Sequence, residues 1–540
     1  MKTTLTSFFT LLLLLSCSEN LIIKEENLHK HIKILSSDEF EGREPGTKGG
    51  EKTKNYIKEH FKSLNLSPVS NDYLLEVPLS KMVVDLNKSY VNINDKTNII
   101  NMLPGKEVVF WTKQVKESLE IHSSDLIFIG YGIVAPEYGW NDYKNIDVKG
   151  KTLVMLVNDP GFELKDPKLF KGKAMTYYGR WVYKFEEAAR QGAEAVLIIH
   201  ETEPASYPWQ VVETSWSGKQ IDLKRKNMGA DRIKLEGWIT SMTAQKLFSI
   251  AGLDFNKLKK QALNKDFQAV PMTDLKLSAS VNNIISFSKS HNVAAIKKGG
   301  VYPDEYILMM AHWDHLGKRE EHTEKNDHIY NGAIDNATGV AGIMELANYF
   351  SNIKTDRSLL FLAVTAEESG LLGSQYFAEY PPIDLSKLVA GYNFDAVLPI
   401  GKTKDIIVVG YGASELEDIL KEELDKIGKY IMPDPTPEKG FFYRSDHISF
   451  AKKGVPVLYA DSGVDKVSGG IKVGLEIANK YTNLTYHQPS DEYSPNWDLS
   501  GFAEHLITTS RMVSRLANSQ EWPKWYDGNE FKEIRERNKN

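Results

Sequence analysis

The sequence predicts an α/β protein in which a mixed, mostly parallel sheet is flanked by helices and a smaller β-rich domain is inserted. Past residue 281, short apolar runs such as EYILMMAH and SLLFLAVT have no polar face, as expected of parallel strands covered on both sides. Helical patterns such as GVAGIMELANYF lie between these runs, and the order βαβα places the strands in one sheet. The turn-rich residues 123–258 predict the insert.

Length and composition indicate a folded chain of at least two domains. Its 540 residues exceed what one core supports, since cores stop growing at roughly 250 to 300 residues. Hydrophobic residues make up 41% and charged residues 26%, which is close to globular usage and excludes a disordered chain or a polytopic membrane protein. The net charge of −6, without a long basic run, argues against nucleic acid as a partner.

The N-terminus predicts export. Lys2 precedes an apolar core, Phe8 to Leu15, that is too short to span a bilayer and is typical of a signal peptide over residues 1–16. Cys17 follows Leu14-Leu15-Ser16, an arrangement that resembles a bacterial lipobox; an ordinary cleaved signal is the alternative. Because Cys17 is the only cysteine, no disulfide is expected. We predict a protein held at the cell envelope, on its periplasmic or cell-surface face, through lipidated Cys17 alone.

Three further segments divide the rest of the chain. Residues 24–110 begin with two helical patterns around the loop EFEGREPGTKGG, whose Arg43 is interpreted as part of a surface ion pair, with a place in a substrate cleft as the alternative. Residues 111–265 alternate β-rich runs with turns and resemble a protease-associated domain, an insert found in several exported peptidases. Residues 270–525 are predicted to hold the main α/β domain.

Four candidate metal ligands stand where strands end or a helix begins, and a fifth lies in the loop YHQPSDEY. They are His312, Asp335, Glu368, Asp395 and His487. In an open α/β sheet the carboxyl ends of the strands converge on one crevice, so residues distant in sequence meet there. Imidazole and carboxylate donors without a thiolate suit Zn²⁺.

A charge count favours two metal ions. Three carboxylates carry −3 against +4 from two Zn²⁺, and a bridging hydroxide would bring the site to zero. The count leaves Glu367 free to serve as a general base. A Glu-Glu pair is usually solvated surface, but Glu367 and Glu368 closely follow the apolar run 359–364, where solvated carboxylates are least expected.

Several motifs resemble those of metallopeptidase family twenty-eight, which includes bacterial leucyl aminopeptidases and glutamate carboxypeptidase II. In order they are AHWDHLG, NGAIDNATGVAGIMELA, VTAEESGLLGSQYF, NFDAV and FYRSDHISFAKKGVPVL. The resemblance covers residues 281–515 and the lead-in LSSDEFEGREPGTKGG. It implies a zinc-dependent exopeptidase fold of the phosphorylase/hydrolase-like kind, two Zn²⁺ per chain and peptide substrates. A protease-associated insert before the first ligand is a known arrangement in that family.

The resemblance also implies a role for each ligand. Asp335 would bridge the two zinc ions, with His312 and Asp395 completing one metal and Glu368 and His487 the other. Glu367 would be the base. The peptide bond between Asp335 and Asn336 is expected to be cis.

Residues around these ligands are predicted to support the chemistry. Asp314 would accept a hydrogen bond from His312 and fix its tautomer, whereas His315 is interpreted as structural. Tyr443 is the candidate donor to the oxyanion. The candidate substrate contacts, for which a structural role is the alternative, are Arg444, Asp446 and His447.

Four functions are compatible with this set of residues. The leading one is an exported di-zinc aminopeptidase. A carboxypeptidase or dipeptidase of the same family differs in holding the substrate α-carboxylate, for which Arg444 is suited. A glutaminyl-cyclase-like acyltransferase would use one zinc, and the presence of both His312 and Asp395 argues against it. The intact ligand set also argues against an inactive binding protein on a peptidase fold. Side-chain preference and oligomeric state do not follow from the sequence.

Overall fold

A computed structural model describes residues 23–319 and 327–539. The predicted signal peptide and Cys17 lie outside these residues. The strands are β1 (Ser67–Pro68), β2 (Leu74–Val84), β3 (Tyr90–Asn94), β4 (Ile99–Asn101), β5 (Val108–Trp111), β6 (Ser118–Phe128), β7 (Val134–Ala135), β8 (Trp140–Asn141), β9 (Thr152–Leu156), β10 (Ala195–His200), β11 (Gln220–Leu223), β12 (Leu235–Thr240), β13 (Val270–Lys297), β14 (Tyr302–His312), β15 (Gly317–Lys318), β16 (Ile329–Tyr330), β17 (Arg357–Val364), β18 (Leu388–Asn393), β19 (Asp405–Val408), β20 (Tyr430–Pro433) and β21 (Val457–Ser462). The helices are α1 (Glu25–Leu35), α2 (Lys48–Ser63), α3 (Pro160–Leu164), α4 (Trp181–Arg190), α5 (Thr202–Ala205), α6 (Trp209–Trp216), α7 (Ser241–Ile250), α8 (Phe255–Gln261), α9 (Gly339–Ser351), α10 (Leu372–Glu379), α11 (Leu416–Asp425), α12 (His447–Ala451), α13 (Gly470–Leu484), α14 (Ser500–Ala517) and α15 (Lys532–Lys539).

The main sheet confirms the predicted mixed α/β architecture. Its strands lie in the order β11-β2-β13-β17-β14-β18-β21-β19-β20. The central strands β17, β14, β18 and β21 are parallel, whereas β13 runs antiparallel to β17. The carboxyl ends of the parallel strands therefore share one edge of the sheet.

Helices cover both faces of this sheet because its central strands are apolar on both sides. Met309 and Phe361 point to a core that includes residues of α1, α2, α9 and α14. Their neighbours Leu308 and Leu360 point to the opposite face, where they pack with residues of α10 and α12. Successive side chains alternate between the faces of a strand, so both cores draw on the same strands.

A second sheet forms the β-rich part of the chain. Its order is β4-β3-β13-β6-β9-β10-β12-β5, and β6, β9, β10 and β12 are parallel. One face packs with residues of α7 and α8, and the other with residues of α4 and α6; the tryptophans on that second face include Trp111, Trp181 and Trp216.

One strand, β13, belongs to both sheets. Its first half pairs with β3 and β6, and its second half pairs with β2 and β17. The second sheet consequently begins at Tyr90 and continues to Asn282, whereas the predicted insert spans 111–265. The bounds of the second sheet are difficult to predict from the sequence, because β13 changes its neighbouring strands midway and therefore has no single pattern of buried and exposed residues.

Candidate metal centre

The predicted ligands gather at the shared edge of the parallel strands. His312 ends β14, Glu368 lies four residues beyond β17, and Asp395 lies two residues beyond β18. The register places His312 opposite Val364 and Met310 opposite Asn393, so these three strand ends are level. Asp335 lies in a short helical turn, Ala333–Thr338, just before α9.

Asp335 lies at the centre of the cluster, and each of its carboxylate oxygens faces a different histidine. Oδ1 is 3.2 Å from Nε2 of His312, and Oδ2 is 3.2 Å from Nε2 of His487. Nε2 of His312 is also 3.2 Å from Oδ1 of Asp395, and Nε2 of His487 is 3.1 Å from Oε2 of Glu368. The five side chains thus form two groups of three that share Asp335.

These distances fit Zn²⁺. Two ligand atoms that each lie about 2.0 Å from a tetrahedral zinc ion are separated by about 3.3 Å. The four ligand-to-ligand distances match that separation. His312, Asp335 and Asp395 would hold one ion, and Asp335, Glu368 and His487 the other.

Zinc binding is expected to strengthen as the pH rises. Burial lowers the pKa of His487, but the carboxylates of Glu368 and Asp335 outweigh it and raise that pKa to about 10. Glu367 and Asp395 outweigh burial at His312 in the same way and raise its pKa well above the usual value. Each imidazole must lose its proton to bind a metal ion, so loading both sites should release about two protons.

The apparent Kd of each zinc ion should therefore fall by up to about tenfold per pH unit between pH 6 and 8, or about 100-fold for loading both ions together. Calorimetry in buffers with different ionisation enthalpies measures the protons released. A pH-independent Kd would contradict the prediction.

Glu367 is half-buried beside the cluster. Burial and the adjacent Glu368 raise the pKa of its carboxyl well above the usual range, which suits a group that must accept a proton. Its amide donates to Oδ1 of Asp314 at 3.0 Å, and the Glu368 amide lies 3.4 Å from Oδ2. Asp314 therefore positions the backbone that carries both glutamates.

The predicted role of Asp314 toward His312 is not what the structure shows. The Asp314 carboxylate lies 3.9 Å from Nδ1 of His312, beyond hydrogen-bonding distance. Nδ1 lies instead 3.2 Å from the Asp314 backbone carbonyl oxygen. The carboxylate is turned toward the amides of Glu367 and Glu368, so the main chain of Asp314 orients the histidine.

Two other side chains hydrogen-bond to the carboxylates of the candidate ligands. Nδ1 of His315 lies 2.6 Å from Oε1 of Glu368, which leaves Oε2 of that carboxylate facing His487. The Ser445 hydroxyl donates to Oδ2 of Asp395 at 2.5 Å. Such contacts orient a ligand and tune its basicity. His315 thus contacts a candidate ligand, and the structural role predicted for it stays a prediction.

Arg43 is the main residue whose role the sequence did not reveal. It is neither in a surface ion pair nor in an exposed cleft, because only 1% of it is exposed. Its five N–H groups are directed at the carbonyl oxygens of Leu35, Trp313, Asn331, Gly332 and Asp335, at distances of 2.5 to 3.3 Å. Arg43 thereby fixes the backbone on both sides of Asp335.

Asp491 completes the support of Asp335. Its carboxylate accepts hydrogen bonds from the amides of Ile334 at 2.9 Å and Asp335 at 3.0 Å. The peptide bond between Asp335 and Asn336 is cis, as the resemblance implies. The backbone around Asp335 is therefore held by Arg43, which donates to carbonyl oxygens, and by Asp491, which accepts from amides.

The predicted oxyanion donor has another partner. The Tyr443 hydroxyl donates to Oε1 of Glu530 at 2.6 Å. Tyr486, which the sequence reasoning passed over, stacks on His487 with ring centroids 3.9 Å apart. Burial and the carboxylates of Asp335 and Glu368 raise the pKa of its hydroxyl well above the usual range. Tyr486 therefore lies beside the cluster.

The three candidate substrate contacts have different surroundings. Arg444 is exposed, with its guanidinium 5.2 Å from the Phe441 ring. Asp446 is buried near the cluster, and burial together with the charges of Asp395 and Glu368 raises its pKa to about 7. His447 is fully buried between the rings of Phe442 and Tyr459, so its side chain belongs to the core.

Residues 292–510 match the model of peptidase family M28. This match contains all five predicted ligands and Glu367, and it supports the resemblance drawn from the motifs. Among curated proteins, leucine aminopeptidase 2 of Trichophyton rubrum is 27% identical over 261 residues, which cover 45% of this chain and 49% of that protein. A probable zinc metalloprotease of Pyrenophora teres f. teres is 36% identical over 105 residues, or 19% of this chain and 22% of that protein. The chain thus spans half or less of the length of these relatives.

Solved structures of similar proteins include an aminopeptidase from Aneurinibacillus sp. strain AM-1, with 19% identity, a TM-score of 0.49 and coverage of 93% of this chain and 97% of that one. Glutaminyl cyclase of Porphyromonas gingivalis is also 19% identical, with a TM-score of 0.32 and coverage of 41% of this chain and 76% of that one.

Proposed function

We propose that the protein is a di-zinc aminopeptidase that removes N-terminal residues from peptides. The observation that carries the proposal is Asp335, whose two oxygens each face one histidine of a three-residue group. This is the geometry required of a carboxylate that bridges two metal ions. The match of residues 292–510 to peptidase family M28 supports the same reading.

The chain's own residues suit peptide hydrolysis. Bound at these ligands, Zn²⁺ would polarise the scissile carbonyl and lower the pKa of water. Glu367 takes a proton from the attacking water and delivers it to the leaving amine, for which its raised pKa is suited. Tyr486, next to the ligand His487, is better placed than Tyr443 to donate to the oxyanion.

Carboxylates near the cluster favour an N-terminal ammonium as the bound group. Asp446 is buried there, and its two oxygens have no hydrogen-bond partner among the described residues. Burial and the nearby Asp395 raise the pKa of Asp461 to about 8. A cation bound next to these two carboxyl groups would stabilise their ionised forms. Arg444 is the residue that favours a carboxypeptidase instead, because its guanidinium is exposed and suited to pair with a substrate α-carboxylate.

Free and N-acetylated forms of one peptide distinguish the two activities. We expect the zinc-loaded protein to cleave the Leu–Gly bond of Leu-Gly-Gly but not the same bond of acetyl-Leu-Gly-Gly, because acetylation removes the positive charge of the N-terminal ammonium. Chromatography of the products with time gives the result. Release of the C-terminal residue from both peptides would identify a carboxypeptidase.

Zinc content tests the two-metal site against a one-zinc acyltransferase. The parent should bind two ions per chain. Asp395→Ala and His487→Ala should each bind one ion tightly, because each removes a ligand of one group and leaves the other group intact. Elemental analysis after gel filtration gives the ratio, and one ion in the parent would favour the acyltransferase.

We further propose that the protein is exported and lipid-anchored through Cys17, and that the second sheet is a protease-associated domain. The lipobox-like sequence ending at Cys17 supports the first proposal. The helix α4 followed by the buried strand β10, within a β-rich insert, supports the second. Among residues 23–319 and 327–539, the structure contains no helix with the length and apolar character needed to cross a membrane.

A further inference from the structure

The segment Trp525–Arg535, here called the C-terminal segment, lies outside residues 292–510 that match the family model. It is nevertheless fixed to the main sheet. Trp525 donates through its indole N–H to the Gly454 carbonyl at 2.8 Å, and Arg535 donates to the Leu388 carbonyl at 2.8 Å. Phe531, also buried, packs near Trp525 and Tyr177. The segment therefore has a defined place between the main domain and the second-sheet region.

Glu530 is the acidic residue of this segment that faces inward. Only 7% of its side chain is exposed, and it accepts the Tyr443 hydroxyl at 2.6 Å. Its cationic neighbour is Lys171 of the second-sheet region, whose Nζ lies 3.7 Å from Oε2 of Glu530. A buried carboxylate is costly unless it is hydrogen-bonded or paired, so both contacts are needed to keep Glu530 in place.

The loop that carries Tyr443, residues 437–447, is held from three sides. The second-sheet region contacts it through the Met175 amide, which donates to the Pro437 carbonyl at 3.1 Å. The C-terminal segment contacts it through Glu530. On the third side Ser445 donates to the ligand Asp395. Tyr443, Arg444 and Ser445 are consecutive residues. A change in the position of Tyr443 would therefore also shift Arg444 and the contact of Ser445 with the candidate ligand Asp395.

We propose that Glu530 is a positioning residue for the 437–447 loop: by accepting a hydrogen bond from the Tyr443 hydroxyl it keeps Ser445 against Asp395 and holds the adjacent Arg444 in place. The test of this proposal by enzyme kinetics rests on the proposed peptidase function, whereas the test by hydrogen exchange does not.

A double-mutant cycle tests whether Glu530 acts through Tyr443. We expect Glu530→Ala and Tyr443→Phe each to raise KM for a tripeptide about tenfold with a smaller change in kcat, and the double variant to resemble either single variant. Glu530→Gln keeps a carbonyl acceptor for the hydroxyl and should restore most of the affinity. Tyr526→Phe is the matched control: it removes a 2.8 Å hydrogen bond from the same segment, but to Asp418 on α11, and should leave KM unchanged.

Hydrogen exchange in the metal-free protein gives a readout independent of activity. The amides of Tyr443 and Arg444 donate to the carbonyls of Gly440 and Phe441 at 3.0 and 2.9 Å. They should exchange about tenfold faster in Glu530→Ala and at the parent rate in Glu530→Gln. Unchanged exchange in Glu530→Ala, or effects of the two substitutions on KM that multiply, would overturn the proposal. Absence of hydrolysis by the parent would instead refute the peptidase function and leave the exchange result to decide.

Discussion

Replacing Glu367 with glutamine should lower kcat for leucine p-nitroanilide about 10³-fold and leave the zinc content of the protein unchanged. Glutamine has the same shape but cannot accept the proton of the attacking water. The two ligand groups around Asp335 are complete without Glu367, so the metal content should not change. Steady-state kinetics and elemental analysis on the same preparation measure both quantities.

Glu379→Gln is the control for this substitution. Glu379 ends α10 in the same region and bonds to Gln375 at 2.8 Å, away from the ligands. It should keep the parent kcat. A Glu367→Gln variant with parent activity would exclude Glu367 as the base, and one that lost zinc in proportion to its activity would make it a ligand.

Replacing Arg43 with alanine should lower the free energy of unfolding of the metal-free protein by about 4 kcal/mol, because it removes five hydrogen bonds to buried backbone carbonyl oxygens. Arg43→Lys should recover part of that loss, since an ammonium has three donors and no planar fork. Its zinc affinity should still be weaker by about 10- to 100-fold, the usual cost of losing a residue that orients a ligand.

Urea denaturation and zinc titration measure these two effects. Arg319→Lys is the control, because Arg319 is exposed on a nearby strand connection and lies over the Tyr330 ring at 5.1 Å. Parent zinc affinity in Arg43→Lys would show that the Asp335 backbone holds its position without the guanidinium.

The clustering of four candidate ligands, His312, Asp335, Glu368 and Asp395, could be predicted because each lies at a strand end or a helix start. An apolar run that ends in His312 or is followed by Glu368 marks a buried strand end, and the topology of a parallel sheet brings such ends together. The signal lies in residue type and position, both of which are visible in one sequence.

The supporting residues could not be predicted in the same way. Arg43 and Asp491 bind backbone carbonyls and amides, which do not depend on the type of residue. No pattern of side chains in the sequence therefore indicates the partners of Arg43 and Asp491. The same reason explains Asp314, whose carboxylate accepts from backbone amides rather than from the histidine next to it. Tyr443 was chosen for its motif, but its partner Glu530 lies 87 positions later in the chain.

The continuous strand β13 determines how the second sheet can move. Its 28 residues are hydrogen-bonded along most of their length, first within one sheet and then within the other, and Val293 near its end pairs with Ala363 of β17. No flexible linker interrupts this ladder, so the second sheet has no hinge there about which to swing. Any reorientation of the sheet on substrate binding must take the form of a twist along β13, transmitted to the strand that leads into Glu367 and Glu368.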